Sequence, residues 1–344
     1  MQLTLRPQNR TLRMESGRPV LESALAAHVN LPHSCKGGSC GSCRARLVSG
    51  TFHYPRGRPL AISAAEAADG YLLLCQAIPD SDLVVEAREL RRVTDVEIRS
   101  LPCRVERLER FAPDVMGVFL RLPVVEDFRF RAGQYLDVML PGGRRRSFSI
   151  ASPPHDAGLI ELHVRRVSGG EFTVQVFEQL APGALLRIEG PLGQFVYREP
   201  ADPASVGPVI MVAGGTGFAP IKSMLRHVLE TGLRRPLHFY WGARHEVDLY
   251  QRPWVEERVT RFPELHFVPV LSMPSGDEAL RHRTGLVHDA VRADFPDLSA
   301  AEVYAAGPPA MIAALRATLH TQGLPAERLH FDSFAYAPDV PARS

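Results

Sequence analysis

The chain has 344 residues, a hydrophobic fraction of 45%, a charged fraction of 23% and a formal net charge of +2. This length predicts two or three domains, and the composition is typical of globular proteins. The small net charge argues against nucleic-acid binding, and no run of about eighteen apolar residues predicts membrane insertion.

The first predicted domain, residues 1–92, combines short strands with one helix. Leu3 and Leu5 alternate with polar residues, and a second alternation begins at Leu12, which predicts an antiparallel pair of strands. Pro19 favours the start of a helix. Strands packed with one helix and a long loop predict a β-grasp fold. The charge-rich stretch 88–99 is interpreted as a solvated connector.

Four cysteines of this domain, Cys35, Cys40, Cys43 and Cys75, have the spacing C-x4-C-x2-C followed by a fourth cysteine after thirty-one residues. This spacing is typical of plant-type [2Fe–2S] sites. Glycines between the first three cysteines allow the backbone to curl around an anionic core. A zinc site more often has two C-x2-C pairs or histidines, and nothing indicates a secreted, disulfide-bonded protein. The lone Cys103 is interpreted as a small buried side chain.

Residues 93–200 are predicted to form the second domain, an antiparallel β-barrel. Short alternating strands are expected over 115–122, 135–140, 159–167 and 185–189, separated by turn residues. One helical segment is expected near residues 173–177.

Residues 201–344 are predicted to form a doubly wound α/β domain. The apolar run 209–213 predicts a parallel strand that is buried on both faces. A glycine turn follows, and then a helix with an apolar face. Further strands are expected over 237–241, 265–270 and 303–306, and ligands of such sheets bind beyond the carboxyl ends of the strands.

Three motifs suggest cofactor binding. Arg146, Phe148 and Ser149 are predicted to share one strand face and to offer a cation, an aromatic ring and a hydroxyl, although consecutive arginines are also common in solvated turns. Gly169 and Gly170 precede a helix whose amides, with the Thr173 hydroxyl, could bind a phosphate; an ordinary turn is the alternative. Two phosphate-seeking sites in one β domain favour FAD over FMN.

The third motif lies between a buried strand and a helix. Residues 214–217 read Gly-Gly-Thr-Gly, which is not the G-x-G-x-x-G fingerprint but has the geometry that accepts a pyrophosphate. A second strand-to-helix turn at Gly307 and Pro308 is expected at the same sheet edge, where a nicotinamide nucleotide would lie. His163 has no metal-ligand spacing and is interpreted as a packing residue or a phosphate contact.

With these motifs in view, the whole chain resembles the ferredoxin–NADP⁺-reductase-like oxidoreductases that carry an amino-terminal plant-type ferredoxin domain. Residues 146–149 resemble their R-x-Y-S flavin motif, with Phe148 in place of tyrosine. Residues 170–173 resemble their FAD pyrophosphate turn, and residues 215–220 resemble their G-T-G-x-x-P nicotinamide motif. The resemblance implies a [2Fe–2S] cluster, FAD and NADH or NADPH as cofactors.

The resemblance also implies site residues. Ser149 and Phe334 are expected to act at the flavin, although the nearby Tyr336 could cover the flavin instead. The residues expected to bind FAD or the nicotinamide nucleotide are Arg146, Ser147, Phe148, Ser149, His163, Val164, Arg165, Gly169, Gly170, Thr173, Gly215, Thr216, Gly217, Pro220, Gly307 and Pro308. Ala306 stands where the family often has a cysteine, so hydride transfer is expected to be slowed or positioned differently.

The expected electron path runs from NAD(P)H through FAD and the cluster to a partner protein, a sugar dehydrase or an oxygenase component. An acidic residue near a strand end, Glu246 or Asp248, favours NADH, while Arg244 could accept a 2′-phosphate; we favour NADH. A flavin reductase that releases reduced flavin and a redox sensor are the alternatives. We expect a cytoplasmic protein, because the amino terminus lacks the apolar run of a signal peptide. A monomer is also expected.

Overall fold

The structure is a computed structural model, and it describes residues 1–27, 29, 31–33, 36–38, 41, 43–59, 61–87, 97–123, 128–141, 144–156, 158–167, 169–199, 207–232 and 235–334. The chain divides into two compact units near residue 95. The predicted domain boundaries at residues 92 and 200, and most of the connector predicted over 88–99, lie outside the described residues.

The first unit is a small mixed sheet with one main helix. Its strands are β1 (Gln2–Arg6), β2 (Arg10–Arg13), β3 (Arg44–Ser49), β4 (Phe52–His53), β5 (Tyr71–Leu73), β6 (Ile78–Pro79) and β7 (Leu83–Glu86), and its helices are α1 (Val20–Ala26) and α2 (Ala64–Ala68). Five strands form the sheet in the order β2-β1-β7-β3-β5, with β1 parallel to β7. The buried residues of α1 join the core of this sheet, which confirms the predicted β-grasp arrangement.

The second unit begins with an antiparallel barrel. Its elements are β8 (Arg99–Ala112), β9 (Val115–Arg121), β10 (Tyr135–Met139), β11 (Arg145–Ser149), β12 (Leu159–Arg165), α3 (Glu171–Glu178) and β13 (Leu185–Leu192). The strands follow the order β11-β10-β13-β8-β9-β12. A bridge between Ile150 and Leu162 joins the two ends of this sheet and closes the barrel. The long strand β8 was not predicted, although Leu101, Cys103 and Val105 alternate into the core.

The same unit continues with a doubly wound domain. Its elements are β14 (Val209–Gly214), α4 (Phe218–Thr231), β15 (Leu237–Ala243), α5 (Arg252–Arg261), β16 (Leu265–Leu271), α6 (Glu278–Arg281), β17 (Arg283–Thr284), α7 (Val287–Asp294), β18 (Glu302–Gly307), α8 (Pro309–His320) and β19 (Leu329–Ser333). The strand order is β17-β16-β15-β14-β18-β19. The central strand β14 runs parallel to both β15 and β18 and is buried throughout, as its apolar run predicts.

The helix α4 positions the main turn of this domain. Its predicted apolar face is confirmed, because the following side chains are all buried: Ile221, Met224, Leu225, Val228 and Leu229. A single turn of 3₁₀ helix over Gly215–Gly217 connects β14 to α4. This packing fixes the glycine turn at the carboxyl end of the central strand, which is the ligand-binding edge of such sheets. No helix in the described ranges is long and apolar enough to cross a membrane.

Candidate functional site

Two of the four motif cysteines lie at the ends of neighbouring strands. Cys43 directly precedes β3 and Cys75 closely follows β5, and the amide of Leu74 donates to the carbonyl of Cys43 at 3.1 Å. Both thiols are buried. The amide of Leu73 donates to the Tyr54 hydroxyl at 2.9 Å, and burial raises the pKa of that hydroxyl, with a smaller contribution from the charges of Cys43 and Cys75.

The loop before Cys43 needs its glycines. Lys36, Gly38 and Gly41 all have positive φ angles, of 51°, 80° and 75°. A Cβ on Gly38 would lie 2.9 Å from atoms of both Pro59 and Gln76, so only glycine fits there. Cys35 and Cys40 lie outside the described residues. The described part of the motif fits a group held by thiolates, and the full ligand set remains a prediction.

The structure corrects one prediction about the flavin motif. Strand β11 pairs in regular register with β10, so successive side chains point to opposite sides. Arg146 and Phe148 therefore share one face, and Ser149 lies on the other; the prediction of one common face for all three is wrong. The ring of Phe148 packs at 5.4 Å from that of Phe172 in α3. Ser147 donates its hydroxyl proton to buried Asp137.

Strand β12 carries three of the predicted cofactor-binding residues. Val164 is fully buried, and the imidazole of His163 lies 2.9 Å from Glu161 Oε1 and 2.8 Å from the Tyr250 hydroxyl. Both ring nitrogens of His163 thus have protein partners, which favours the packing interpretation. Arg165 forms an ion pair with Asp114 at 3.2 Å, but its buried Nε and Nη2 atoms lack a partner in the described part of the chain.

These unsatisfied donors of Arg165 lie beside the glycine turn. A Cβ on Gly215 would lie 3.7 Å from Nη2 of Arg165. Buried donors without partners are costly, and an anionic group in this position would satisfy them. Arg165 therefore fits the predicted phosphate-bearing cofactors better than the histidine two residues before it.

The turn before α3 is closed by its own threonine. The Thr173 hydroxyl donates to the carbonyl of Gly170 at 2.9 Å and accepts from the amide of Val167 at 3.2 Å. Gly169 has a φ of 75°, and Gly170 caps the helix without a side chain. A phosphate at this turn would be bound mainly by the first amides of α3, because the hydroxyl already has partners.

The two glycine turns of the nucleotide domain lie at the same edge of the sheet, as predicted, and they pack tightly against each other. A Cβ on Gly217 would lie 2.0 Å from the carbonyl oxygen of Ala306, and one on Gly307 would lie 3.1 Å from Cα of Gly214. Thr216 is partly exposed, and Pro220 occupies the first turn of α4, where no backbone N–H is required. Pro308 is the exposed N-cap of α8. Both turns therefore offer backbone amides at one edge of the sheet.

An aromatic cluster supports this edge and was not predicted. The rings of Phe218 and Trp241 stack with centroids 4.0 Å apart. The indole nitrogen of Trp241 donates to the carbonyl of Gly215 at 3.2 Å. Strand β15 thus fixes the glycine turn through the side chain of Trp241, a contact that no local pattern indicates.

A buried network of charged and polar side chains links the barrel to the nucleotide domain. Lys222 of α4 donates to Glu161 of β12 at 2.6 Å and to Gln251 at 2.9 Å. The Lys222 ammonium also lies 5.0 Å from the ring centre of Trp254. Burial alone would raise the pKa of Glu161, but its bonds with His163 and Lys222 lower it to about 2. The sign of this network in the sequence is the charged Lys222 in an otherwise apolar part of the predicted helix.

The other residues that were predicted to act near the cofactors lie in three different environments. Phe334 directly follows β19 and is partly exposed, and Tyr336 lies outside the described residues. Ala306 is fully buried beneath the glycine turns. Glu246 binds Arg252 at 2.6 Å and Arg281 at 3.0 Å, so its carboxylate already has two cationic partners.

Three segments of the chain match models of known protein families. Residues 3–80 match the 2Fe-2S iron-sulfur cluster binding domain, residues 102–197 the oxidoreductase FAD-binding domain, and residues 211–317 the oxidoreductase NAD-binding domain. These matches support all three predicted cofactors.

Whole-chain relatives share this organisation. The chain is 35% identical to the CDP-6-deoxy-L-threo-D-glycero-4-hexulose-3-dehydrase reductase of Yersinia pestis, covering 97% of this chain and 98% of the relative. It is 36% identical to the terephthalate 1,2-dioxygenase reductase component 2 of a Comamonas species, covering 94% of each chain. Among solved structures, the cytochrome P450 reductase GcoB of Amycolatopsis is similar with a TM-score of 0.78 and 33% identity, covering 97% of this chain and 98% of that chain.

Proposed function

Because the chain belongs to the ferredoxin–NADP⁺-reductase-like oxidoreductases with an amino-terminal [2Fe–2S] domain, we propose that it supplies electrons to a separate acceptor protein. It is an NAD(P)H-dependent oxidoreductase with FAD and a [2Fe–2S] cluster as cofactors. The observation that carries the proposal is the presence of all three domains in a chain matching a dehydrase reductase over 97% of its length.

The cofactors supply the redox chemistry, and the chain positions them. When bound, FAD would supply the conversion of the two-electron chemistry of a nicotinamide into single-electron steps, and a [2Fe–2S] cluster would supply a one-electron carrier. Phe148 offers an aromatic surface and Ser149 a hydroxyl for the flavin. Arg165 offers two unsatisfied donors for an anionic group, and the Gly215–Gly217 turn offers amides for the nicotinamide nucleotide. Phe334 is the further residue proposed to act at the flavin.

We favour a sugar dehydrase system as the source of the acceptor, with an activity of the CDP-6-deoxy-Δ3,4-glucoseen reductase type. The support is the similarity to the Yersinia reductase. The reductase component of an aromatic-ring oxygenase is the second candidate, since the Comamonas relative is similar to the same degree. NADH-driven product formation with a purified nucleotide-sugar dehydrase, but not with a terminal oxygenase, would distinguish them, and the reverse result would select the second candidate.

Further features of the proposal concern the chain as a whole. We propose that residues 1–92, 93–200 and 201–344 form the three domains, and that the protein acts as a monomer in the cytoplasm. NADH is the proposed donor. A specificity constant for NADPH more than about ten times that for NADH would overturn this choice.

The cluster assignment is tested by comparing two cysteine substitutions. Cys40→Ser should abolish NADH-dependent reduction of cytochrome c and preserve ferricyanide reduction, because only the first requires the cluster in the proposed path. Cys103→Ser is the matched control: the Cys103 thiol is buried beside the carbonyl of Leu186, and burial raises its pKa to about 12, so it is an unreactive core residue. Full iron content and full cytochrome c reduction in Cys40→Ser would refute the ligand assignment.

A further inference from the structure

Charge is unevenly distributed around the cysteine loop. No aspartate or glutamate occurs between Glu22 and Glu66, a stretch that contains three of the four motif cysteines. The same stretch contains these five basic residues: Lys36, Arg44, Arg46, Arg56 and Arg58. All four arginines are exposed. The local charge is therefore strongly positive in a chain whose formal net charge is only +2.

The fold brings these arginines to the rim of the cysteine loop. The amide of Ala61 donates to the carbonyl of Gly38 at 3.1 Å, and Pro59 packs directly on Gly38. Arg56 and Arg58 belong to the segment that ends in this contact. On another side of the loop, Arg44 directly follows Cys43 at the start of β3. Cations from two separate segments thus flank the same loop.

Most of this positive charge is not neutralised by the chain itself. Arg44 pairs with Glu66, whose carboxylate also caps α2 through Ser63. Arg56 and Arg58 form no ion pair with any residue that the structure describes, and neither does Arg46, although Glu86 of β7 is its cross-strand partner. Uncompensated exposed charges of one sign attract a partner of the opposite sign and speed its association, over a screening length of about 10 Å at 0.1 M salt.

We propose that these four arginines, here called the arginine rim, dock an electron-acceptor protein that carries acidic residues around its own redox centre. The inference rests on the proposed function, in which the cysteine loop is the point where electrons leave the chain. Because the motif thiolates are anionic, a partner with carboxylates surrounding its redox group, rather than covering it, fits the rim best. Attraction at the rim would then bring the two redox groups together and select against basic partners.

The test uses rim and control variants with equal charge. Arg56→Gln/Arg58→Gln removes two rim charges. Arg6→Gln/Arg13→Gln removes two exposed charges from β1 and β2, which lie toward the opposite edge of the sheet from β3 and β5. The protein with its cofactors is reduced with dithionite, freed of excess reductant, and mixed in a stopped-flow instrument with acidic cytochrome b5 or basic cytochrome c.

At low ionic strength, the rim variant should reduce cytochrome b5 about five-fold more slowly than the native protein, and the control variant less than two-fold more slowly. Both differences should disappear at about 0.5 M salt, where the screening length is only a few ångströms. Reduction of cytochrome c should not slow in the rim variant. Equal iron content and visible spectra would show that the variants retain the cluster.

Equal rates for the rim and control variants with cytochrome b5 would overturn the inference. Binding of the native protein to phosphatidylserine vesicles that is lost in the rim variant would also overturn it, by assigning the rim to an anionic membrane surface. The proposed function is checked separately by NADH reduction of the cluster. Since dithionite replaces NADH in the docking experiment, failure of NADH to reduce the cluster would refute the function and leave the docking result standing.

Discussion

Replacement of Lys222 by methionine tests whether the buried ion pair joins the barrel to the nucleotide domain. In the native protein, Glu161 and Lys222 have side chains that are only 6% and 5% exposed, and their charged atoms lie 2.6 Å apart. Lys222→Met leaves the Glu161 carboxylate buried with one hydrogen-bond partner fewer. Removing one partner of a buried pair typically costs about 3–5 kcal/mol.

The pKa of Glu161 shows the direction of the same effect. Burial alone would raise it, yet it falls from 4.5 to about 2, which corresponds to about 3 kcal/mol of net stabilisation of the charged form at 1.36 kcal/mol per pKa unit, and His163 and Lys222 share this stabilisation. We therefore expect Lys222→Met to lower the free energy of unfolding by about 3 kcal/mol at pH 7. The double variant Glu161→Gln/Lys222→Met should recover at least half of this loss, because it buries no unpaired charge.

The sign of the pH dependence follows from the same shift. A carboxyl group whose pKa is lowered by folding stabilises the native state above its unfolded pKa, and this stabilisation is lost as the pH falls toward the folded value. The difference between the native protein and Lys222→Met should therefore be complete at pH 6 and shrink between about pH 4.5 and 2, the range that the two pKa values define.

Urea unfolding followed by tryptophan fluorescence measures the free energy of unfolding through probes in the nucleotide domain. The only two tryptophans of the chain, Trp241 and Trp254, lie in the nucleotide domain, and Trp254 faces Lys222. Arg226→Met is the matched control, since Arg226 lies on the same helix and makes only partly exposed pairs; we expect a loss below about 1 kcal/mol. Equal losses for Lys222→Met and Arg226→Met, or no recovery in the double variant, would refute the reasoning.

Two further substitutions test the glycine turn and a second buried carboxylate. Gly217→Ala should abolish NADH binding and destabilise the nucleotide domain, because its Cβ would lie 2.0 Å from a backbone oxygen, whereas Gly158→Ala meets nothing within 4 Å and should leave NADH titrations and unfolding unchanged. Normal NADH affinity in Gly217→Ala would contradict the assigned packing. The pKa of Glu302 is lowered to about 2, since its bonds to His330, Arg235 and Tyr304 outweigh burial. Glu302→Gln should therefore lower stability at pH 7 by about 1–2 kcal/mol, with the difference shrinking below pH 4.5; a constant difference down to pH 3 in urea titrations would contradict this.

Local patterns predicted the elements that fold through contacts near in sequence. The apolar run of β14, the glycine turn after it and the buried face of α4 follow from periodicity and backbone geometry within about twenty residues. Strand alternation also explains why Ser149 does not share a face of β11 with Arg146 and Phe148. Residues 146 and 149 differ by an odd number of positions, so Ser149 cannot share a face with Arg146 on a regular strand.

The buried network could not be predicted in the same way. Glu161 and Lys222 lie 61 residues apart, on elements of different domains, and each taken alone is an ordinary charged residue. Lys222 shares its side of the helix with the buried Leu225 and Leu229, which indicates a buried partner without identifying it. His163 illustrates the same limit, because its partners Glu161 and Tyr250 are visible only in the folded chain.

The choice of acceptor must depend on residues outside the cofactor motifs. Reductases that are 35% and 36% identical to this chain, each matched over more than nine-tenths of its length, have names that refer to a sugar dehydrase and a ring dioxygenase. Motifs that serve only to hold cofactors in this chain do not contact the acceptor and cannot select it. Exposed side chains around the point of electron exit can, because they contact the acceptor directly and determine its rate of association. In the proposed electron path the arginine rim surrounds the exit point, so its charge, rather than the cysteine spacing, should decide which partner this chain reduces.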